Sequence, residues 1–276
     1  MEREDAVDTQ RATGTDDLGT PYLRFERVGS VGWCTVDRPQ ARNALTSSMY
    51  LGVRRAVDLV NTDPDLAALV ITGVDDVFIP GGEMTGRHDD GNEATIAVLG
   101  MDVLPFRTIR NSPAPVVSAV NGICQGGGLI IAMLSDITVA SERATFRAPE
   151  TLRGIVDANL AAMLPAQIGV ANARELLMTG KRVDAEEARR LGLVTRVAPH
   201  DDLRTAALGA VGDLLRAAPR ARAEVKRLIN ARYGLVDDMT FAASLQSAEV
   251  IEGFTAFAEK RSPGWVPEEF DTGGRL

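Results

Sequence analysis

The stretch AVNGICQGGGLIIAMLSDITVA, residues 119–140, decides the fold of this chain. It places three consecutive glycines, Gly126 to Gly128, between two apolar runs, at the point where a helix is expected to begin. In regular structure each glycine costs roughly 0.5–1 kcal/mol of stability relative to alanine, because glycine loses more conformational freedom on folding. We therefore expect the chain to need bare backbone at this point.

The glycines match neither of the common nucleotide-binding patterns. Those patterns are GxxxxGK[ST] and GxGxxG, whereas here Leu129 and Ile130 follow the glycines. The remaining interpretation is exposed backbone N–H groups at a helix N-terminus, which favour a developing negative charge. A second stretch of bare backbone, Gly81 and Gly82 in DVFIPGGEMTG (residues 76–86), offers another donor. The two stretches together predict an oxyanion hole.

Strand and helix patterns alternate along the chain. Residues 22–39 predict a β-hairpin, residues 47–64 an amphipathic helix, and residues 66–73 a buried strand. From Asp184 onward the composition becomes helical, with Asp184 itself as an N-cap. This alternation predicts an α/β architecture in which ligands bind in the loops at strand ends.

Composition restricts the function classes. The net charge of −8 over 276 residues argues against nucleic acid as a partner. RNA binding would need a basic helix, for which the segment ARAEVKRLINARYG, residues 221–234, is the one candidate. The longest apolar runs are far shorter than the ~20 residues that span a bilayer. We expect a cytoplasmic protein with no membrane partner. Residues 1–20 are predicted to form a disordered N-terminal tail.

The sequence gives no sign of a metal or of a bound cofactor. Cys34 and Cys124 lie far apart and form no CxxC pair, and no dinucleotide fingerprint is present. Cys124 is interpreted as a small core residue, because nothing nearby in the sequence would lower its pKa. His88, in a polar loop, is interpreted as solvated, although a base on that loop remains an alternative.

Two motifs carry a resemblance to a known family. VFIPGGEM (residues 77–84) and NGICQGGGL (residues 121–129) resemble the paired signatures of the crotonase superfamily, the enoyl-CoA hydratase/isomerase family. The resemblance extends over most of the chain, to EGFTAFAEKRSP at residues 252–263. It implies an α/β fold made of a spiral of ββα turns. The domains expected from it are the spiral core over residues 21–200 and a helical oligomerisation region and CoA lid over residues 201–276.

The family resemblance also implies a ligand and its contacts. The ligand is an acyl-CoA thioester, which is a substrate and not a cofactor, and its carbonyl oxygen accepts bonds from the N–H groups of Gly82 and Gly127. Arg38 and Arg42 match positions that hold the phosphates and adenine of coenzyme A. Lys260 matches a position that reaches the coenzyme A of a neighbouring subunit, in a homotrimer or a hexamer.

The acid/base groups depart from the pattern of the superfamily hydratases. Those enzymes hold one water between two glutamates, and the first of the two positions is Ile130 here, which places an apolar residue in the substrate pocket. The second position is Glu150, and Asp157 matches an aspartate used in some isomerase branches. For each of the two carboxylates, a structural role as a helix cap is the alternative to a catalytic role.

One surviving family glutamate favours isomerisation over hydration. A 1,3-proton shift needs one base, whereas hydration normally needs two carboxylates. We therefore expect an enoyl-CoA isomerase. Three alternatives stay open: a hydratase that uses Glu150 with Asp157, a C–C hydrolase of a β-keto acyl-CoA, and an acyl-CoA binder without activity.

Overall fold

A computed structural model describes residues 16–83, 103–271 and 273. Ten strands form two sheets in this part of the chain. The large sheet has the order β1-β2-β3-β5-β7-β10 and the small sheet the order β4-β6-β8-β9. The strands are β1 (Leu23–Val28), β2 (Val31–Val36), β3 (Ala68–Gly73), β4 (Val77–Ile79), β5 (Val116–Val120), β6 (Ile123–Gln125), β7 (Ile137–Ser141), β8 (Thr145–Arg147), β9 (Arg182–Asp184) and β10 (Arg196–Ala198).

Helices cover the sheets and form most of the C-terminal region. The described residues contain α1 (Ser47–Thr62), α2 (Phe106–Asn111), α3 (Gly127–Leu134), α4 (Ala158–Ile168), α5 (Val170–Thr179), α6 (Ala185–Leu191), α7 (Leu203–Leu215), α8 (Pro219–Asn230), α9 (Asp238–Ser244) and α10 (Ala248–Glu259). No helix in the described ranges is long and apolar enough to cross a membrane.

The predicted secondary structure is confirmed where local signals are strong. Strands β1 and β2 pair antiparallel around a turn in which Gly29 adopts a φ of 59°. The side chain of Asp184 accepts a hydrogen bond from the Glu187 N–H and so caps α6, which ends at Gly192 in a left-handed conformation. Both helix ends therefore follow from residues within one turn of them.

The large sheet is buried on both faces, which explains its continuous apolar strands. Along β3 the side chains alternate, so that Leu69 and Ile71 join the core beneath α1, whereas Ala68 and Val70 join a second core beneath α7. Helix α7 therefore packs directly on the sheet, although it lies in the predicted C-terminal region. The boundary near residue 200 stays a prediction.

The predicted disordered tail is wrong for residues 16–20. Leu18 is 2% exposed and packs in the core beneath α1. The Asp16 carboxylate lies 3.0 Å from the guanidinium of Arg27. An apolar anchor and an ion pair thus attach these residues to the fold, and sequence polarity alone does not reveal either contact. Residues 1–15 lie outside the described part of the chain.

Candidate active site

Three neighbouring strands of the small sheet end at one place. Strand β6 pairs parallel with both β4 and β8, so the carboxyl ends of all three point the same way. Gly82 follows β4, Gly127 follows β6, and Glu150 follows β8. The predicted donors and the predicted base are thereby brought to one edge of the sheet, where ligands of α/β folds commonly bind.

The glycine triplet is explained by what each missing side chain would meet. A Cβ on Gly126 would collide with Glu150 Oε1, and a Cβ on Gly127 would collide with Tyr50 Oη. A Cβ on Gly128 would lie 2.7 Å from the Cβ of Ile79. Gly126 also has a φ of 51°, which side-chain-bearing residues rarely adopt. Each glycine therefore lets a functional or structural group approach the backbone.

The second glycine loop is tied to the start of α1. Leu45 N–H donates to the Gly81 carbonyl at 2.9 Å, and Glu83 N–H donates to the Leu45 carbonyl at 2.8 Å. This ladder skips the intervening Gly82, whose N–H stays available. Gly81 itself adopts a φ of 114°. The backbone is thus hydrogen-bonded to Leu45 on either side of Gly82.

The two predicted donors have no acceptor within the part of the chain that the structure describes. Gly82 N–H makes no hydrogen bond there, and Gly127 occupies the first position of α3, where the N–H has no partner within the helix. Backbone N–H groups without an acceptor at a helix N-terminus stabilise an anionic oxygen. This arrangement can hold a thioester carbonyl oxygen as it gains negative charge.

Glu150 is a buried carboxyl group that is not a helix cap. It opens a short 3₁₀ turn, Glu150–Arg153, whose N-cap makes no side-chain hydrogen bond. Its Oε2 is buried and has no hydrogen-bond partner among the described residues. Burial, and next the nearby charge of Asp157, raise the pKa of Glu150 to about 7. A carboxyl group with this pKa can both accept and return a proton near neutral pH.

Asp157 is a cap and also a neighbour of the site. Its Oδ1 accepts a hydrogen bond of 2.8 Å from the Leu160 N–H, which caps α4. Burial raises its pKa to about 6, against the opposing effect of its backbone hydrogen bonds. The cap alternative is therefore confirmed, whereas a part in the chemistry stays a prediction.

Ile130 occupies the position of the first glutamate of the superfamily hydratases. It is 4% exposed and lies three residues after Gly127, on the same face of α3. Its side chain belongs to the core beneath α1. The structure describes no carboxylate at this position, and the predicted contact of Ile130 with substrate stays a prediction.

Tyr50 is a site residue that the sequence analysis misses. Its hydroxyl lies against Gly127, and a Cβ on Gly82 would lie 3.6 Å from it. Burial, and then the charges of Glu150 and Asp157, raise the pKa of this phenol, so the hydroxyl stays protonated. A tyrosine four residues after the Thr46 cap of an amphipathic helix carries no sequence signal of function.

The three residues predicted to contact coenzyme A, Arg38, Arg42 and Lys260, differ in their surroundings. Arg38 is 1% exposed, and its Nη1 lies 2.8 Å from Glu83 Oε2 and 3.0 Å from the Ala44 carbonyl. It therefore has a structural role, since it joins Glu83 to the segment that precedes α1. Arg42 and Lys260 are exposed and both have left-handed backbone conformations. Contacts of these three residues with coenzyme A stay predictions.

The C-terminal helix α10 packs on the turn that carries Glu150. A Cβ on Gly154 would lie 2.6 Å from the Glu249 carbonyl carbon, and a Cβ on Gly253 would come equally close to that of Arg153. The Arg153 guanidinium lies 4.6 Å from the ring centroid of Phe257. Helix α10 thus contacts the Glu150 turn of its own chain, and its predicted reach toward a neighbouring subunit stays a prediction.

Other sequence candidates take no part in this geometry. Cys124 is fully buried and its pKa is raised by burial, so the interpretation as a core residue is confirmed. Lys226 of the basic helix is buried against Asp136 at 2.8 Å. His88 lies outside the described residues. The described ranges contain no cluster of three or more metal-ligating side chains.

Comparison with known proteins agrees with this geometry. The family model for enoyl-CoA hydratase/isomerase matches residues 26–268. A carnitinyl-CoA dehydratase of Citrobacter koseri is 34% identical over 258 residues, 88% of this chain and 97% of that protein. A probable enoyl-CoA hydratase of Mycobacterium tuberculosis is 33% identical over 253 residues, 87% of this chain and 96% of that protein.

A solved structure extends the agreement to the fold. The crystal structure of an enoyl-CoA hydratase/isomerase from Pseudoalteromonas atlantica aligns with a TM-score of 0.77 at 31% identity, covering 89% of this chain and 100% of that one. The predicted crotonase-like α/β fold is thereby confirmed. The chain belongs to the enoyl-CoA hydratase/isomerase family, the crotonase superfamily, and is an acyl-CoA enzyme of that family.

Proposed function

We propose that this enzyme isomerises an enoyl-CoA by a proton shift that uses Glu150 as the single base. The observation that carries the proposal is the buried carboxylate of Glu150, whose pKa is raised to about 7. It lies at the same sheet edge as the N–H groups of Gly82 and Gly127, which have no acceptor among the described residues. Ile130 stands at the position of the other family glutamate. A 1,3-shift needs one base that removes a proton from one carbon and returns it to another.

The residues divide the reaction between them. The thioester oxygen of a 3-enoyl-CoA accepts bonds from the N–H groups of Gly82 and Gly127. Glu150 takes a proton from C2, and the negative charge of the resulting dienolate moves onto that oxygen. The protonated Glu150 then delivers the proton to C4, and the double bond moves from C3–C4 to C2–C3. Each preorganised backbone donor lowers the barrier of such a reaction by about 3 kcal/mol.

A hydratase or dehydratase is the second candidate. Asp157 favours it, because burial raises its pKa to about 6 and its charge contributes to the raised pKa of Glu150, so that a second ionisable carboxyl group lies near the first. Two of the relatives above carry the names of a hydratase and a dehydratase. In that reaction Asp157 and Glu150 would orient one water for addition at C3.

A comparison of three substrates separates these candidates. Purified enzyme is supplied in D₂O with a 2-enoyl-CoA, a 3-enoyl-CoA or a β-keto acyl-CoA of equal chain length, and products are identified by mass and NMR. The proposal expects conversion of the 3-enoyl-CoA to the 2-enoyl-CoA without gain of water. A 3-hydroxyacyl-CoA product would establish the hydratase, free acid from a β-keto acyl-CoA the hydrolase, and no turnover of any of them the binder.

We further propose that the enzyme is a homotrimer or a dimer of trimers. Apolar side chains on C-terminal elements are exposed in the single chain, including Met239, Ile251 and Phe257 at 81%, 68% and 58%. Apolar surface of this kind marks protein interfaces. Light scattering at micromolar concentration is expected to give a trimer or hexamer mass, and a monomer mass would contradict the proposal.

A further inference from the structure

Tyr50 is held in position from two directions. Helix α1 begins at Ser47, directly after its Thr46 cap, and the preceding Leu45 is hydrogen-bonded to the residues on both sides of Gly82 in the neighbouring loop. The Tyr50 ring meets the Phe106 ring edge-on, with the centroids 6.1 Å apart and the planes at 84°. The phenol is therefore placed against the glycine loop by the fold itself.

The hydroxyl of Tyr50 lies against both donor glycines. A Cβ on Gly127 would collide with Tyr50 Oη and would lie 3.1 Å from Cζ, and a Cβ on Gly82 would lie 3.6 Å from Oη. Any residue other than glycine at position 127 would displace the phenol. Gly127 therefore has two functions, since it offers its N–H and leaves space for the hydroxyl.

The Tyr50 hydroxyl has no hydrogen-bond partner within the described part of the chain. Tyr50 Oη makes no hydrogen bond there. Tyr233 Oη, by contrast, lies 3.3 Å from Gln167 Oε1 and 3.5 Å from the Met133 carbonyl. Tyr50 Oη thus lies next to the two glycines whose N–H groups have no acceptor among the described residues, which places a third possible donor at the same glycine cleft.

We infer that the Tyr50 hydroxyl is a third donor to the thioester oxygen, beside the N–H groups of Gly82 and Gly127. The inference rests on the proposed enolate chemistry of this site. Because the pKa of Tyr50 is raised, the phenol keeps its proton and donates throughout the working range of Glu150. An extra donor stabilises the enolate in a site where Ile130 supplies no second carboxylate.

The test replaces one hydroxyl and leaves the ring. Tyr50→Phe is compared with wild-type enzyme and with Tyr233→Phe, a hydroxyl deletion outside the glycine cleft. The first readout is the infrared stretch of a ¹³C-labelled thioester carbonyl in bound butyryl-CoA, which needs no turnover. The second readout is solvent deuterium exchange at C2 of the same ligand.

Tyr50→Phe is expected to reduce the downward shift of the carbonyl stretch and to slow C2 exchange by roughly 10- to 10²-fold, as loss of an oxyanion donor does. Tyr233→Phe should match wild type in both readouts. An unchanged carbonyl stretch in folded Tyr50→Phe enzyme, or unchanged C2 exchange with lost turnover, would overturn the inference. If wild-type enzyme shows neither carbonyl shift nor exchange, the proposed function itself fails, which is a distinct result.

Discussion

The glycine side of the cleft and the carboxylate side are built by different means. Gly82 and Gly127 offer backbone N–H groups that strand ends and a loop ladder hold in place. Glu150 and Asp157 offer carboxyl groups whose pKa values are raised by burial, and the charge of Asp157 raises that of Glu150 further. In the proposed mechanism the glycine side fixes where an oxyanion forms, and the carboxylate side decides which proton moves.

The carboxylate side should show the largest single effect. Glu150→Gln keeps the shape of the side chain but cannot accept a proton, so turnover is expected to fall by the ~10²–10⁴-fold that a positioned base contributes. Affinity for an unreactive acyl-CoA should change little. Steady-state kinetics and calorimetric titration measure the two quantities.

Asp157→Asn is the matched control for this prediction, because asparagine caps a helix as well as aspartate does. Its turnover should stay within a small factor of wild type. Loss of turnover in Asp157→Asn with retention in Glu150→Gln would make Asp157 the base. Loss in both would indicate that the two carboxyl groups act as a pair.

The glycine side should respond to loss of one donor. Gly127→Pro removes the N–H at the first position of α3, where proline fits a helix, and turnover is expected to fall by about 10²–10³-fold. Gly127→Ala keeps the N–H and adds only a Cβ against Tyr50. The alanine variant should therefore be the less damaged of the two, as measured by kcat/KM. Equal losses would mean that crowding of Tyr50, and not the N–H, matters at this position.

The burial that raises the pKa of Glu150 should reduce the stability of the folded state. Its pKa rises from 4.5 unfolded to about 7 folded, so the folded state binds more protons between these values and loses stability as pH rises through them. Above pH 7 the penalty is complete. Glu150→Gln should therefore be more stable than wild type by on the order of 3 kcal/mol at pH 8, and by little at pH 4.

Urea unfolding at the two pH values measures this difference. A stabilisation of equal size at both pH values would show that the carboxyl group is not the cause. Burial of a carboxyl group for function at the expense of stability is a known compromise at active sites.

The smallest effect concerns the coupling of the two carboxylates. Activity of wild-type enzyme should rise with pH through about 7, as Glu150 loses its proton. The charge of Asp157 contributes to that raised pKa. In Asp157→Asn the acid limb of log kcat against pH should therefore move to lower pH. An unmoved limb would separate Asp157 from the base.

Sequence and structure agree most closely where chemistry depends on neighbours in the chain. The hairpin around Gly29, the Asp184 cap and the two glycine loops all follow from local patterns. Tyr50 does not, because its role depends on a bridge between Leu45 and Gly82, which joins segments distant in sequence. The pairing of Arg38 with Glu83 was hidden for the same reason.

The carboxylate side was predictable only in part. The position of Glu150 could be inferred from the family resemblance, but its raised pKa depends on burial that the sequence does not encode locally. Asp157 is a cap in the structure, as its neighbours suggested, yet its charge also raises the pKa of Glu150, seven residues earlier in the chain. Local patterns therefore identify such residues without stating their protonation.

Deuterium exchange at C2 of a bound saturated acyl-CoA tests the central claim most directly, because exchange requires both the oxyanion donors and the base, but no double bond and no water addition. Wild-type enzyme in D₂O should exchange C2 protons of butyryl-CoA, Asp157→Asn should do so at a similar rate, and Glu150→Gln should be slower by at least ~10²-fold. Exchange in Glu150→Gln at the wild-type rate would contradict the account.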